Sequence, residues 1–370
     1  MSPALFAEVS PLAGNLAQIQ ERWAGLAGGV GTFALCPTWV NAWLECLGPE
    51  PQLSLVTLRR GQEPVAAFFL GRRRAAWRGI IPIDSLYLNA TGWPDYDSIF
   101  IEYNGMALPG PEPPRLEEVL DALPGDWDEL YLPGLDMSCF PGDQLGSLSG
   151  RYKVREDQRT PSPFMDLELV RGQQGDCLNL LGSKMRAHLR RTQRFYEALG
   201  PVALEEARDL GRAHEMFELM AQVHGQRWQA DGQEGAFASD YQRRFHHRII
   251  ESGFPRGQVQ LLRLSAGEQT VAAIYNFVFQ GRVLVYNFGV NYPDDKRVQP
   301  GLLAHYLAIN LNAAQGRRHY DFLGGSNYYK THLSSQAGDL AWLRVQRPSL
   351  KTRLRNTLGD LRRGAAGEGS

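Results

Sequence analysis

At 370 residues the chain is longer than a single hydrophobic core usually grows, so two domains are expected. Its 43% hydrophobic and 21% charged residues are those of an ordinary globular protein and exclude a disordered chain, and no run of about 18 apolar residues exists to cross a membrane as a helix. The net charge of −1 conceals an uneven balance: residues 1–170 hold 12 Lys and Arg against 22 Asp and Glu, whereas residues 171–370 hold 27 against 18, so the halves are expected to meet different partners or each other.

The N-terminus lacks the charged start and apolar core of an export signal, and Cys36, Cys46, Cys139 and Cys177 show no metal-ligand spacing; both point to a cytoplasmic protein with reduced thiols. TWVNAWLECLG (38–48) has helical spacing. LSLVTL (53–58) and PVAAFFLG (64–71) read as paired strands, GMALPGPEPPR (105–115) as a loop, RLEEVLDAL (115–123) as a helix and DELYLPGL (128–135) as a strand. This half offers no catalytic constellation. Around RTPSPFMDLEL (159–169) the chain crosses into a second unit.

There SKMRAHLRRTQRFYEALG (183–200) reads as a helix with a capping Ser183 and a terminal Gly200. Met185, Leu189, Thr192, Tyr196 and Leu199 fall on one side, and Lys184, Arg186, Arg190, Arg191 and Arg194 form a cationic face. Helical stretches follow at 210–228 and 239–253. Residues 257–291 then read as three antiparallel strands joined around Ala266-Gly267 and Gln280-Gly281. Pro300-Gly301 opens another helix at a favoured position for proline, an anion-accepting start, and HYDFLGG (319–325) reads as the next strand.

Several of these segments together resemble the GNAT-superfamily acyltransferases of the CelD-like group, associated with cellulose and exopolysaccharide biosynthesis, and more distantly the Fem aminoacyl transferases. The residues that carry the resemblance are SKMRAHLRRTQR, Gln226-Arg227-Trp228, VAAIYNFVF with VLVYNFGVN, Gln299-Pro300-Gly301 and YDFLGGSNYYK. It implies an α/β protein of two tandem GNAT-like domains, each a mixed, mostly antiparallel sheet flanked by helices: a degenerate one at 1–160, a catalytic one at 161–347, then a basic tail at 348–370. It implies acyl-CoA as the donor, held at Arg297, Gln299, Pro300 and Gly301 with Gly324 and Gly325 nearby, although the family's second phosphate-loop glycine has no counterpart here. Fem-like relatives take an aminoacyl group from tRNA instead.

The chemistry asked of such a site is a donor carbonyl, a deprotonated nucleophile and a stabilised oxyanion. With no Ser-His-Asp or Cys-His motif, direct transfer to an amine on a sugar, amino acid or envelope precursor is expected. Asp321 is a candidate base, Lys330 a candidate cation for a phosphate or oxyanion, and Tyr329 and Tyr328 candidate donors; His305 is the best-placed histidine for proton transfer. Each has a plainer alternative: an ion-paired strand end for Asp321, a solvated lysine, packed tyrosines and a structural histidine. Arg186, Arg190, Arg227, Trp228 and Tyr286 are candidates for binding a nucleotide- or lipid-linked acceptor, or tRNA in the Fem-like case, against a simple solvated face. No metal site is expected, and a non-catalytic module of a polysaccharide assembly is the rival from another class.

Overall fold

The computed structural model describes the backbone of all residues except 1–3, 100–101, 111, 140–144, 146–147, 149, 231, 233–234 and 368–370, and leaves out some side chains inside helices, among them Arg227 and residues 359–367. The chain forms two compact units, residues 1–159 with 339–370 and residues 160–338. It passes from the first to the second within β6 (Lys153–Asp166) and returns within β12 (Gln336–Gln346).

In the first unit, β1 (Leu5–Pro11), β2 (Gln52–Arg60), β3 (Glu63–Trp77) and β4 (Ile81–Leu88) pair antiparallel in sequence order. β5 (Glu129–Asp136) joins β4 in parallel, and Leu340–Gln346 of β12 joins β5 antiparallel. Alternation along a strand sends successive side chains to opposite faces. Phe69 accordingly meets Trp23 of α1 (Leu16–Leu26) and Trp43 of α2 (Pro37–Cys46), while Phe68 and Leu70 join a core with Leu116 and Leu120 of α4 (Leu116–Ala122). A short α3 (Pro94–Asp97) lies between α2 and α4.

That last helix, α11 (Leu350–Gly367), covers the basic segment expected as a tail. Its anchor is Glu129 on β5, whose carboxylate accepts from Arg355 (2.5 Å), from Arg344 of β12 (2.7 Å), from Gln346 and from the Ser85 hydroxyl. Glu129 is buried, so removing it would strand two guanidinium groups away from full hydration.

In the second unit β7 (Val202–Glu206), β8 (Val259–Ala266), β9 (Gln269–Phe279) and β10 (Arg282–Val290) pair antiparallel, with the expected Gln280-Gly281 turn holding both residues at positive φ. β11 (His319–Asp321) joins β10 in parallel and Phe164–Asp166 of β6 antiparallel. Parallel neighbours need a crossover, and α9 (Pro300–Ala314) supplies it. α5 (Leu167–Gly172), α6 (Ser183–Glu197) and α9 share one core with alternate residues of β8, β9 and β10. On the other face, α7 (Leu210–Ala230) and α8 (Asp240–Gly253) bring Phe217 and His246 against Tyr275. Among the described residues no helix is long and apolar enough to cross a membrane.

Two details of α6 differ from expectation. Gly182, not Ser183, occupies the N-cap, with no side-chain cap bond, so Ser183 is already helical. Leu199 lies beyond the helix end and is 53% exposed rather than part of the apolar face.

Prediction for the first unit: Glu129→Ala should lower its stability by about 3–5 kcal/mol, because two half-buried arginines lose their common counter-charge and Arg344 keeps only Asp157. Chemical denaturation followed by tryptophan fluorescence would read the change; a loss below about 1 kcal/mol would mean that solvent already screens this cluster.

Candidate active site

The pairing of β10 with β11 lasts three residues, Arg282 with His319, Val283 with Tyr320 and Leu284 with Asp321. β11 then ends, while β10 continues beside β9 after a bulge between Val285 and Asn287. A bulge bends and twists its strand, so two parallel neighbours part. A cleft of about 610 Å³ opens in that gap. Asn287, Phe288, Gly289 and Val290 of β10 form its floor, Gln299, Gly301, Leu302 and His305 its helical wall, and Asn327, Tyr328 and Tyr329 the opposite wall; Val223, His224, Trp228 and Tyr292 complete the lining.

Local chemistry sets each wall. The backbone N–H of Gln299 donates to the Thr192 hydroxyl of α6 (3.0 Å), fixing where α9 begins. Pro300 follows at a position whose N–H has no helical partner, and the next amides of the first turn carry the positive end of the helix dipole. A Cβ on Gly301 would meet only Val290 at 3.6 Å and Phe288 at 3.7 Å, so side chains do not fill the space beside it. Gly289 is different: a Cβ there would lie 2.7 Å from the Met220 carbonyl oxygen and 3.0 Å from Val223 Cβ, so only glycine lets α7 approach the strand this closely.

His305 is 1% exposed. Its Nδ1 lies 3.1 Å from the Tyr320 hydroxyl and its Nε2 has no hydrogen-bond partner. Its ring stacks on Tyr329 at 5.3 Å and 4° and takes the edges of Phe288 and Phe322. Burial, with a smaller contribution from the Lys330 charge, lowers its pKa to about 3, so the imidazole is neutral. Burial also raises the Tyr329 phenol above its ordinary value.

Asp321 and Lys330 are not among the residues lining the cleft. Asp321 is fully buried; its Oδ1 accepts from the Leu323 N–H (2.8 Å) and the Ser162 hydroxyl (3.2 Å), with Arg282 3.6 Å from Oδ2. Lys330, on α10 (Tyr328–His332), donates to the carbonyl oxygens of Gly324 (2.6 Å) and Leu323 (3.3 Å). Between them Leu323 adopts φ 59°, a left-handed conformation that costs a residue with a side chain roughly 1–2 kcal/mol. The two charges thus hold the turn that carries Asn327, Tyr328 and Tyr329 to the cleft. Gly325, at φ 125°, belongs to the same turn, and its N–H donates to Pro161.

The expected phosphate and acceptor residues scatter. Arg297 pairs with Asp295 at 2.7 Å, and that guanidinium holds the Asp295 carboxyl down to about 2. Arg186 donates to the Leu181 carbonyl and Arg190 is exposed. Tyr286 packs against His246 at 4.9 Å and Phe277 at 4.9 Å, away from the lining, and the Arg227 side chain lies outside the described residues. Gln299, Gly301, His305, Tyr329 and Trp228 do share the cleft. Among the described residues no group of His, Cys, Asp and Glu is arranged to hold a metal. The β10 floor was missed, although a glycine inside an apolar strand, as in VLVYNFGVN, marks a close backbone approach.

Residues 183–331 match the family model of an acetyltransferase (GNAT) domain. The second unit therefore carries a GNAT-type acyltransferase fold. Among solved structures, FemX is similar over 88% of this chain and 95% of its own, with a TM-score of 0.55 at 11% identity. Looser similarities reach L-PGS from Bacillus licheniformis (11% identity, 91% of this chain and 94% of that one, TM-score 0.49) and a tandem GNAT protein from the clavulanic acid biosynthesis pathway (12% identity, 93% and 99%, TM-score 0.46). No curated protein matches the sequence.

The two glycines separate by experiment. Gly289→Ala should cost about 1–3 kcal/mol, because α7 must move away from β10, whereas Gly301→Ala should melt at or above the parent temperature, since alanine favours a helix and meets no close neighbour. Paired thermal melts would show it, and equal melting temperatures for the two variants would refute the contact at Gly289.

Proposed function

We propose that the second unit is an N-acyltransferase that moves an acyl group from acyl-CoA to an amine on a sugar, an amino acid or an envelope or exopolysaccharide precursor. The observation that carries this reading is the parted pair of β10 and β11 with the first turn of α9 opening on the gap. A strand edge left without a neighbour offers N–H and C=O groups to an extended, amide-bearing donor, and the α9 start offers amides to a phosphate. Gly301 keeps that start bare, which is the fit an acyl-CoA requires. Gln299 and Gly301 would hold the donor, and Trp228, with its ring at the rim, would face the acceptor. Asp321 and Lys330 act through the turn they hold.

Among the described residues no Lys, Arg, Asp or Glu lines the cleft. An acceptor amine therefore reacts as its free base, since an ammonium would enter without a counter-charge. A second reading, aminoacyl transfer from tRNA as in Fem proteins, is favoured by the fold similarity to FemX across the chain and by the exposed Lys184, Arg190, Arg191 and Arg194 of α6.

Thermal unfolding with acetyl-CoA, longer acyl-CoAs and free coenzyme A discriminates. A donor at 100 times its Kd should stabilise the fold by about 2.7 kcal/mol, and Gly301→Val should abolish that shift without lowering the midpoint of the free protein by a comparable amount. No shift with any acyl-CoA, together with tRNA binding that falls steeply with salt, would transfer the assignment to the aminoacyl reading.

A further inference from the structure

Buried amides run inward from a carboxylate at the sheet edge, and beyond them Tyr320 meets His305. The Glu206 carboxylate on β7 accepts two of them. Its oxygens take the Nε2 groups of Gln260 (2.8 Å) and Gln315 (2.6 Å). The Gln260 nitrogen also donates to Asn312 Oδ1 (3.2 Å), while its oxygen accepts from Asn276 Nδ2 (2.9 Å) and Asn312 Nδ2 (3.1 Å). Asn276 is fully buried, and among the described residues its Oδ1 takes no hydrogen bond, the Tyr320 phenol included.

Among the described residues the Tyr320 hydroxyl has one side-chain hydrogen-bond partner, Nδ1 of His305, and its hydrogen goes there. A neutral imidazole that accepts at Nδ1 carries its proton on Nε2. That N–H belongs to a cleft-lining ring, is buried, and has no partner among the described residues. An unmet buried donor is costly in a resting fold and is satisfied when a ligand oxygen arrives.

We infer that His305 is a hydrogen-bond donor to the acyl carbonyl oxygen through Nε2–H, and that Tyr320 is the positioning residue that fixes its tautomer. The inference rests on the acyl-transfer reading and replaces the role of base expected from sequence. The amine nitrogen bonds to the carbonyl carbon while the π pair moves to the oxygen held by Nε2–H. That pair returns as the carbon–sulfur bond breaks, and the departing thiolate takes the proton that the nitrogen gives up. The groups facing the imidazole are Tyr320 from β11 and Tyr329 and Lys330 from α10, and the Lys330 charge adds to burial in keeping the ring neutral.

The test begins with the tautomer, read by long-range proton–nitrogen correlation in the full chain labelled with nitrogen-15 histidine. The His305 signals are those missing from His305→Gln. The expected result is a protonated Nε2 and a bare Nδ1 that do not change between about pH 5 and pH 8, with Tyr320→Phe mixing the two tautomers. A protonated Nδ1, or titration inside that window, overturns the inference. This readout needs no substrate, so its failure is separable from failure of the acyltransferase reading. In turnover with the donor found by thermal shift, His305→Ala should lose about 10²–10³ in kcat with little change in KM, and His305→Gln, which keeps a terminal N–H, should recover part of it. An alanine variant with parental kcat also overturns the inference.

Discussion

β11 is three residues long, and the cleft exists because it stops where it does. Had the strand continued past Asp321, a parallel ladder would have filled the edge of β10 and left no gap. What ends it is the turn at Leu323, a leucine in a conformation that favours glycine. The Asp321 carboxylate holds the N–H side of that turn and the Lys330 ammonium its carbonyl side, so two opposite charges each stabilise backbone dipoles of the turn. Strain of this kind persists when its surroundings over-determine it. Here the surroundings are a buried carboxylate and a buried lysine.

Among the described residues, charge is distributed so that no Lys, Arg, Asp or Glu side chain lines the cleft. The arginines that make the second half basic are exposed on α6, paired as Arg297 is with Asp295, or bonded to carbonyls as Arg186 is. The cleft uses ring faces, amides and the start of a helix. Partial charges from backbone and amide groups need no desolvated counter-ion, and their directions are set by the fold before a ligand enters.

The elements legible in the sequence were those whose signal is local. The Gln280-Gly281 turn, the Pro300 start of α9 and the apolar strands around them follow from backbone preference and periodicity. β1, β4 and β7 were missed: β7 reads VALEE, with too few apolar residues to alternate visibly, and β4 is interrupted by Pro82. Among site residues, Gly301 and His305 were readable from their place on one helix. The roles first assigned to Asp321 and Lys330 followed from their charge, but whether a charge meets a ligand or a carbonyl of its own turn depends on contacts that the chain order does not display. The buried amide chain joins residues 206, 260 and 276, and the Tyr320–His305 contact joins a strand to a helix; no spacing rule links either set.

The contact at Gly289 seats α7 on the sheet. The helix has 21 residues, roughly 30 Å at 1.5 Å per residue, and meets β10 about half to two-thirds of the way along, at Met220 to His224. Ala213, Met216, Phe217 and Met220 are buried along the same helix, so α7 is packed over much of its length. The side chain that Gly289 lacks therefore sets how near the Trp228 wall stands to the floor of the cleft.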